Sequence, residues 1–292
     1  MKPAPFEYAA PETLQEVVSL LEENEGDAKV LSGGQSLMPL LNMRLARPEV
    51  LVDLARVPGL DYVCEEDGAL AIGGMTRQRT VELSPLVAER YPLVLQATLN
   101  VAHPQNRNQG TFGGSLAHAD PSAEYPALAL AMGAQLKAVG PDGERIIDAE
   151  DFFVTYLTTD LDPTEVLTEV RLPALPEGAA WSFTELARRH GDFALAGVAS
   201  FFSRGADGKC ATARIVLFGV GATPVRAAKA ERELVGQVPS ESVFESVRKA
   251  VLDDVEEPQS DVHASAEQRR ALAGVLTKRG LVDAARRAGI SV

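Results

Sequence analysis

The chain has 292 residues, of which 46% are hydrophobic and 24% are charged, and its formal net charge is −13. This composition is typical of a folded globular protein and argues against intrinsic disorder. The acidic charge disfavours contact with phosphate backbones and anionic membranes, so nucleic-acid binding is excluded as the main function. An anionic ligand would have to be held locally, by backbone N–H groups and a few arginines.

The cysteine content and the N-terminus indicate the cellular setting. Cys64 and Cys210 are the two cysteines of the chain, too few for an iron–sulfur cluster or a structural zinc site, and we expect reduced thiols. The first residues lack the apolar run of a signal peptide, and no segment approaches the about 20 apolar residues of a membrane span. The sequence therefore predicts a cytoplasmic protein with no membrane span.

The N-terminal segment predicts a strand–turn–helix–strand unit that follows an initial helix. The initial helix starts after Thr13 and has an apolar face. A buried strand at 28–31 leads into a turn at 32–36. A helix is predicted over 37–45, and a second strand at 50–54 is close enough in sequence to pair with the first.

The middle of the chain mixes strands and helices. A polar loop at 103–109 precedes a second glycine-rich turn at 110–115. The predicted helices span 84–89, 92–101 and 122–132. The predicted strands span 69–74, 135–139, 145–147 and 167–172. The strands at 135–139 and 145–147 are predicted to form a hairpin.

The proline-rich stretch 173–178 is the best linker candidate. Beyond it, strands are predicted at 181–187, 194–202 and 211–220, and the remainder is helical, with a long helix over 265–287. We therefore predict one domain over 1–175, in two parts of about 1–56 and 57–175, and a second domain over 176–292.

The two glycine-rich turns are the candidate ligand-binding features. Ser32-Gly33-Gly34-Gln35-Ser36 and Gly110-Thr111-Phe112-Gly113-Gly114-Ser115 each lead towards a helix. Glycines let a backbone approach a ligand closely, and a helix start offers unpaired N–H groups, which together suit a pyrophosphate. A plain tight turn remains the alternative. The pattern differs from Gly-x-Gly-x-x-Gly, so a Rossmann site is not indicated, and it lacks the ending of a P-loop.

Four segments resemble sequence motifs of the FAD subunits of the xanthine dehydrogenase family of molybdenum hydroxylases. They are 31–40, 107–121, 182–194 and 261–265, and they occur in the family's order along essentially the whole chain. The sequence is most similar to the separate medium subunits of carbon monoxide dehydrogenases and of quinoline, nicotine and caffeine hydroxylases. The resemblance implies an α+β fold: an FAD-binding domain of the vanillyl-alcohol-oxidase (PCMH) type, with two α/β subdomains, and a smaller C-terminal α+β domain.

The resemblance also implies which residues bind FAD. Four positions depart from the common pattern: Ser32 stands where Ala is usual, Phe112 replaces an aliphatic residue beside the flavin, Gln109 replaces a frequent Arg, and Glu124 replaces an Asp that binds cofactor hydroxyls. The implied cofactor-binding residues are Ser32, Gly33, Gly34, Gln35, Ser36, Leu37, Thr111, Phe112, Gly113, Gly114, Ser115, Glu124, Asp160, Leu161 and Thr184.

The resemblance implies an electron-transfer role without catalytic side chains or a metal site on this chain. Substrate would be oxidised at a molybdopterin-bound molybdenum on a large partner subunit, and electrons would reach this chain's FAD through [2Fe–2S] clusters on a small partner, in an (αβγ)2 heterohexamer. We expect an N-heteroaromatic substrate. The alternatives are a carbon monoxide dehydrogenase medium subunit, a non-catalytic scaffold and a self-contained flavin oxidase, and the electron acceptor stays open.

Two further polar groups have competing interpretations. His118 and Asp120 suggest a metal pair or a proton relay, but two such residues supply too few ligands, which favours a hydrogen-bonded pair that supports the second turn. Arg188 and Arg189 belong either to a solvated turn or to a pair near the flavin or a subunit contact.

Overall fold

In a computed structural model of the chain, residues 1–24 and 26–292 are described. The first unit contains a three-stranded parallel sheet in the order β1-β3-β2. Its apolar core includes Val17, Leu21 and Val52. The elements are β1 (Glu7–Ala9), α1 (Leu14–Glu23), β2 (Ala28–Leu31), α2 (Leu37–Asn42) and β3 (Val50–Asp53).

The predicted pairing of β2 with β3 is confirmed. Helix α1 begins where predicted because Thr13 and Glu16 form a capping box: Thr13 Oγ1 accepts from the Glu16 N–H, and the Glu16 carboxylate accepts from the Thr13 N–H. Helix α2 ends three residues earlier than predicted, since Arg44 adopts a positive φ of 59°. Strand β1 was missed because a strand of three residues, two of them exposed, carries no periodic signal.

The second unit is built on a five-stranded sheet in the order β4-β5-β10-β6-β7, in which every pair is antiparallel. An α/β arrangement was predicted for both the first and the second unit. The parallel sheet of the first unit fits this prediction, but the antiparallel sheet of the second unit does not. The five strands are β4 (Val63–Glu66), β5 (Ala69–Gly73), β6 (Gln135–Gly140), β7 (Gly143–Asp148) and β10 (Val166–Pro173). Strands β8 (Phe153–Thr155) and β9 (Thr158–Thr159) form a separate two-stranded antiparallel sheet.

Helices of the second unit share a core with that sheet, in which Leu70, Ile72 and Tyr125 are fully buried. The predicted polar loop at 103–109 contains a short helix, and the helix at 78–83 was missed. The helices are α3 (Gln78–Leu83), α4 (Pro85–Arg90), α5 (Pro92–Asn100), α6 (Pro104–Arg107), α7 (Phe112–His118), α8 (Glu124–Met132) and α9 (Ala149–Phe152).

The third unit is a four-stranded antiparallel sheet in the order β11-β12-β13-β14, covered on one side by helix α12. Its other side packs on α5 and α8, so Phe183 and Phe218 join the core of the second unit. The elements are β11 (Ala180–Ala187), β12 (Ala194–Arg204), β13 (Cys210–Phe218), β14 (Val225–Arg226), α10 (Ala228–Leu234), α11 (Glu241–Asp254) and α12 (Ala266–Arg287). Across the described residues, no helix is long and apolar enough to cross a membrane.

Candidate functional site

The first glycine-rich turn leaves a run of backbone donors free. It follows β2, and Ser36 caps α2 without a side-chain hydrogen bond. Among the described residues, none of the five consecutive N–H groups from Gly33 to Leu37 donates to a protein acceptor. The segment is only partly buried, so the N–H groups are not sealed inside the core. Adjacent unpaired N–H groups form an anion-binding concavity.

Glycine is required at position 33 by the close approach of the second turn. A Cβ atom on Gly33 would lie 2.5 Å from the Gln109 carbonyl oxygen, 2.7 Å from Gly110 Cα and 2.9 Å from the Thr111 nitrogen, all of them backbone atoms. Gly34 has a φ of +71°, which disfavours a side chain for a different reason. The two motifs, 79 residues apart at Ser32 and Thr111, therefore form one site.

Ser32 joins the two turns through its hydroxyl. Its Oγ lies 2.6 Å from Thr111 Oγ1 and 2.9 Å from the sulfur of Met75. Thr111 Oγ1 also accepts from the Gly114 N–H at 3.1 Å. The residue that departs from the family pattern at position 32 thus supplies a hydrogen bond across the site that alanine could not make.

The second turn offers fewer free donors than predicted, since within the described residues five of its six backbone N–H groups donate to the protein and the Thr111 N–H does not. Helix α7 begins there, with Thr111 as its N-cap, so Gly113 and Gly114 lie inside the first helical turn. The Phe112 N–H donates to the Thr76 carbonyl at 2.9 Å, and the Gly113 N–H donates to the Gly74 carbonyl at 3.1 Å. Since Gly114 donates to Thr111, the first three N–H groups of α7 are all satisfied by the protein. This motif shapes and supports the site.

Phe112 and Gly113 are buried, and Phe112 has no exposed surface. The Phe112 ring packs 4.3 Å from Tyr125, centroid to centroid. We therefore place Phe112 in the core and not beside the cofactor. A Cβ on Gly113 would lie 2.7 Å from Gly74 Cα, which explains the pairing of these two glycines and places Gly73-Gly74 beneath the second motif.

Arg107 anchors the segment that presses against Gly33. Its guanidinium is nearly fully buried, donates to Glu82 at 2.8 Å, and donates to the Val101 carbonyl at 2.7 Å. This ion pair lowers the pKa of Glu82. Arg107 is thereby committed to the fold, and it is not a free cation for an anionic ligand.

Three other predicted residues have distinct surroundings. Ser115 is partly exposed on α7. The Asp160 carboxylate pairs with Arg145 at 2.7 Å, and Arg145 also binds Glu165 at 2.6 Å, so Asp160 contributes to a surface ion-pair network. Leu161 packs against the core of the second unit. A cofactor contact by Ser115, Asp160 or Leu161 stays a prediction.

Glu124, at the start of α8, is an unusual buried carboxyl. It is 5% exposed, and in the described part of the chain its side chain makes no hydrogen bond with another residue. Burial raises the pKa of Glu124 to about 8, and the neighbouring carboxyl of Glu185 adds to the effect. A carboxyl of this kind needs a donor, or else it holds a proton.

Beside Glu124, strand β11 carries the predicted Thr184 and its neighbour Glu185, which the sequence did not single out, on opposite sides. A cofactor contact by Thr184 stays a prediction. Thr184 points towards α12, where a Cβ on Gly280 would lie 3.4 Å from Thr184 Oγ1. Phe183 points the other way, into the core shared with the second unit. Because side chains alternate along a strand, Glu185 lies on the same side as Phe183 and faces the second unit. The alternation of β11 could have indicated this from sequence.

The polar residues at 118–120 do not form the expected pair. Burial lowers the pKa of His118, while the Asp120 carboxylate accepts from the Ser122 N–H at 2.8 Å.

The other histidines lie near the turn that carries Arg188. Arg188 Nη1 lies 3.0 Å from Nδ1 of His263, and His103 stacks on His190 with 6.3 Å between ring centroids. Within residues 1–24 and 26–292, no group of three or more His, Cys, Asp or Glu side chains is arranged to hold a metal ion.

The arrangement fits the diphosphate of a dinucleotide cofactor. Free N–H groups at 33–37 can bind phosphate oxygens without a cation, as the overall acidic charge requires. A run of free N–H groups of this kind is a feature of proteins that hold an anionic ligand.

Comparison with known proteins gives the cofactor class. Residues 4–175 match the family model of the FAD-binding domain in molybdopterin dehydrogenase, and residues 181–284 match the carbon monoxide dehydrogenase flavoprotein C-terminal domain. The chain is 39% identical to the alpha subunit of the 6-hydroxypseudooxynicotine dehydrogenase complex of Paenarthrobacter nicotinovorans, over 99% of this chain and 97% of the relative.

Two solved structures are similar throughout. Carbon monoxide dehydrogenase from Hydrogenophaga pseudoflava gives a TM-score of 0.95 at 38% identity, covering 98% of this chain and 99% of that chain. Quinoline 2-oxidoreductase from Pseudomonas putida 86 gives a TM-score of 0.92 at 39% identity, covering 99% of both chains. The protein is thus a flavoprotein subunit of an oxidoreductase. It belongs to the family of FAD-binding medium subunits of the carbon monoxide dehydrogenase and xanthine dehydrogenase type.

Glu124 makes the stability of the FAD-free protein depend on pH. Its pKa of about 8 in the folded state exceeds the ordinary value of 4.5, so the folded protein holds more protons than the unfolded one between these values. Stability should therefore fall as pH rises from about 5 to about 9. Each pKa unit corresponds to about 1.4 kcal/mol, so we expect Glu124→Gln to be more stable than the parent at high pH by roughly 3 to 5 kcal/mol.

Urea unfolding of the FAD-free protein across this pH range measures the effect. Glu89→Gln, which changes an exposed glutamate, is the matched control and should leave the pH profile unaltered. Glu185 contributes a smaller total change over a narrower pH range, since burial raises its pKa to about 7. A Glu124→Gln profile as steep as that of the parent would contradict the buried, unpaired carboxyl.

Proposed function

We propose that the chain is the electron-transfer subunit of a molybdenum-dependent hydroxylase or dehydrogenase, and that the turn at 33–37 holds the pyrophosphate of its FAD. The observation that carries the proposal is the run of five free N–H groups, closed on one side by the second motif. The proposed cofactor residues are those predicted from sequence, with Phe112 moved to the core and Glu185 added.

FAD supplies the redox chemistry when it is bound, and the protein supplies position and electrostatics. The loop N–H groups orient the diphosphate, Ser32 and Thr111 hold the two turns together, and Glu124 offers a carboxyl to cofactor hydroxyls. We propose the vanillyl-alcohol-oxidase (PCMH) type for the FAD-binding domain, with domain boundaries at 175 and 176. The gap between β10 and β11, which contains the proline-rich stretch, supports this division.

The proposed partners are a small [2Fe–2S] subunit and a large molybdenum subunit, in an (αβγ)2 complex. The relatives support a multisubunit enzyme, since one of them is named as a subunit of a dehydrogenase complex. In this assignment electrons enter from the iron–sulfur clusters and leave to an external acceptor. No group on this chain acts as a nucleophile or as a general acid in substrate oxidation.

The substrate proposed for the complex is an N-heteroaromatic compound. The 39% identities to a 6-hydroxypseudooxynicotine dehydrogenase subunit and to a quinoline oxidoreductase chain support it. The second candidate is carbon monoxide, favoured by the TM-score of 0.95 to a carbon monoxide dehydrogenase chain. Both candidates leave the role of this subunit unchanged, because oxidation takes place on the large subunit.

The test is to purify the chain with the subunits that accompany it and to identify the released flavin. We expect FAD, and reduction of an artificial acceptor with quinoline or nicotine derivatives but not with carbon monoxide. Gly34→Val and Gly114→Val should lose FAD and acceptor reduction, since Gly34 has a positive φ and a Cβ on Gly114 would lie 2.5 Å from Thr111 Oγ1. A folded complex without flavin, or full activity in both variants, would favour a scaffold.

A further inference from the structure

Three exposed cations lie together where the chain leaves helix α2. Arg44 Nε donates to the Lys2 carbonyl at 3.2 Å, and Arg47 Nε donates to the Arg44 carbonyl at 3.0 Å. Within residues 1–24 and 26–292, none of the three side chains forms an ion pair with a carboxylate. The segment 28–48 contains no acidic residue at all, in a chain whose net charge is −13. This surface is therefore locally positive on an acidic protein.

Two large apolar side chains are exposed on the same turn. Met43 is 52% exposed and Leu45 is 72% exposed. Met43 is the C-cap of α2, so Leu45 lies two residues beyond it, at a position where an apolar side chain commonly packs back on the helix. Leu45 instead leaves most of its surface in water. Apolar area within a rim of polar side chains is typical of protein-contact sites.

The turn that carries these side chains is held by backbone hydrogen bonds. The Arg44 N–H donates to the Leu41 carbonyl at 3.0 Å, and the Leu45 N–H donates to the Leu40 carbonyl at 2.9 Å, which is the pattern of a Schellman motif. Arg44 adopts the φ of 59° that the motif requires, at a position where glycine is usual. The side chains are thus presented on an ordered backbone, which lowers the entropy cost of binding a partner.

We propose that Lys2, Met43, Arg44, Leu45 and Arg47 form a docking surface, the α2 patch, for another subunit of the complex. The partner surface that fits it presents apolar side chains between carboxylates, because opposite charges attract and like charges are rejected. The net charge of −13 opposes an anionic membrane as the occupant. The inference rests on the proposed function, since it requires partner subunits. Helix α2 follows the first glycine-rich turn directly, so the docked subunit would lie close to the proposed diphosphate site.

The test uses the full chain and the other subunits of the purified complex, with association measured by analytical ultracentrifugation at low and high salt. We expect Leu45→Glu to weaken association about 10- to 100-fold, because it removes an apolar contact and places a carboxylate opposite carboxylates. Arg44→Gly should weaken association about 3- to 10-fold and reduce its salt dependence, since one cation is lost. Because glycine suits the positive φ, Arg44→Gly should unfold at the same temperature as the parent or higher, which separates docking from a structural role.

Leu83→Glu is the matched control, since Leu83 is another leucine, 63% exposed, and it follows the acidic Glu82 in the chain. It should associate as the parent does, and all variants should keep the flavin content of the parent. Unchanged association in both Leu45→Glu and Arg44→Gly overturns the inference while the proposed function stands. So does an effect of Leu45→Glu confined to self-association of the chain or to its binding of phosphatidylserine vesicles. A parent chain that carries no FAD in the complex overturns the proposed function itself.

Discussion

Replacing Gly33 by alanine should weaken FAD binding by at least about 100-fold, equivalent to the loss of two charge-assisted hydrogen bonds. The added Cβ would meet three backbone atoms of the second turn, at 2.5 to 2.9 Å, and none of them can rotate away. The two turns must then separate, and the N–H groups at 33–37 lose their position. Titration of the flavin-stripped complex with FAD and with ADP measures the loss, and both ligands should be affected.

Gly221→Ala provides the control for this substitution. A Cβ there would make ordinary contacts, the nearest at 3.4 Å to a side-chain carbon of Val225, and Gly221 has no positive φ. FAD affinity should equal that of the parent. Gly33→Ala with unaltered affinity for both ligands would show that the 33–37 loop does not hold the diphosphate, whatever the cofactor content of the complex.

Replacing Phe112 by alanine should lower the free energy of unfolding by about 3 to 5 kcal/mol, as for a large aromatic removed from a packed core. Phe112 has no exposed surface and packs on Tyr125, so its loss leaves a cavity between α7 and α8. Because the ring is buried in the core of the second unit, the loss of stability should be equal in the presence and absence of FAD. Urea unfolding under both conditions measures it.

Phe193→Ala is the comparison, since Phe193 is 60% exposed and its removal creates no cavity. Its effect on stability in the flavin-free protein should be under about 1 kcal/mol. A Phe112→Ala variant that is destabilised only when FAD is present would return this residue to the flavin site, as the family resemblance first implied.

The sequence by itself determined the local elements and the positions of the two motifs. Thr13 and Ser265 define the starts of α1 and α12, because each capping residue and its partner three positions later lie within one stretch of four residues. The predicted hairpin at 135–147 and the strands of the third unit are present for the same reason, since alternation and turn residues are local. The glycines at 33 and 34 were singled out from the sequence as the candidate anion-binding turn, and the acidic charge indicated that backbone N–H groups would have to hold an anion.

Only the tertiary structure decided which donors stay free. Both turns looked alike in sequence, but the N–H groups of the second are used by Thr76 and Gly74, residues more than 30 positions earlier in the chain. A local pattern cannot report such a pairing, because it depends on how β5 and α7 come together. The same is true of Phe112, whose burial is set by α8.

The sides on which Thr184 and Glu185 lie show how packing complements a sequence motif. Motif resemblance indicates a segment, but one step along a strand reverses the side on which a side chain lies. Here α12 packs on one side of β11 and the second unit packs on the other, and this packing determines the surroundings of each side chain. The sequence thus determined that this chain carries an FAD-binding domain, and the long-range packing determined which N–H groups of the two motifs stay free and on which side of β11 each side chain lies.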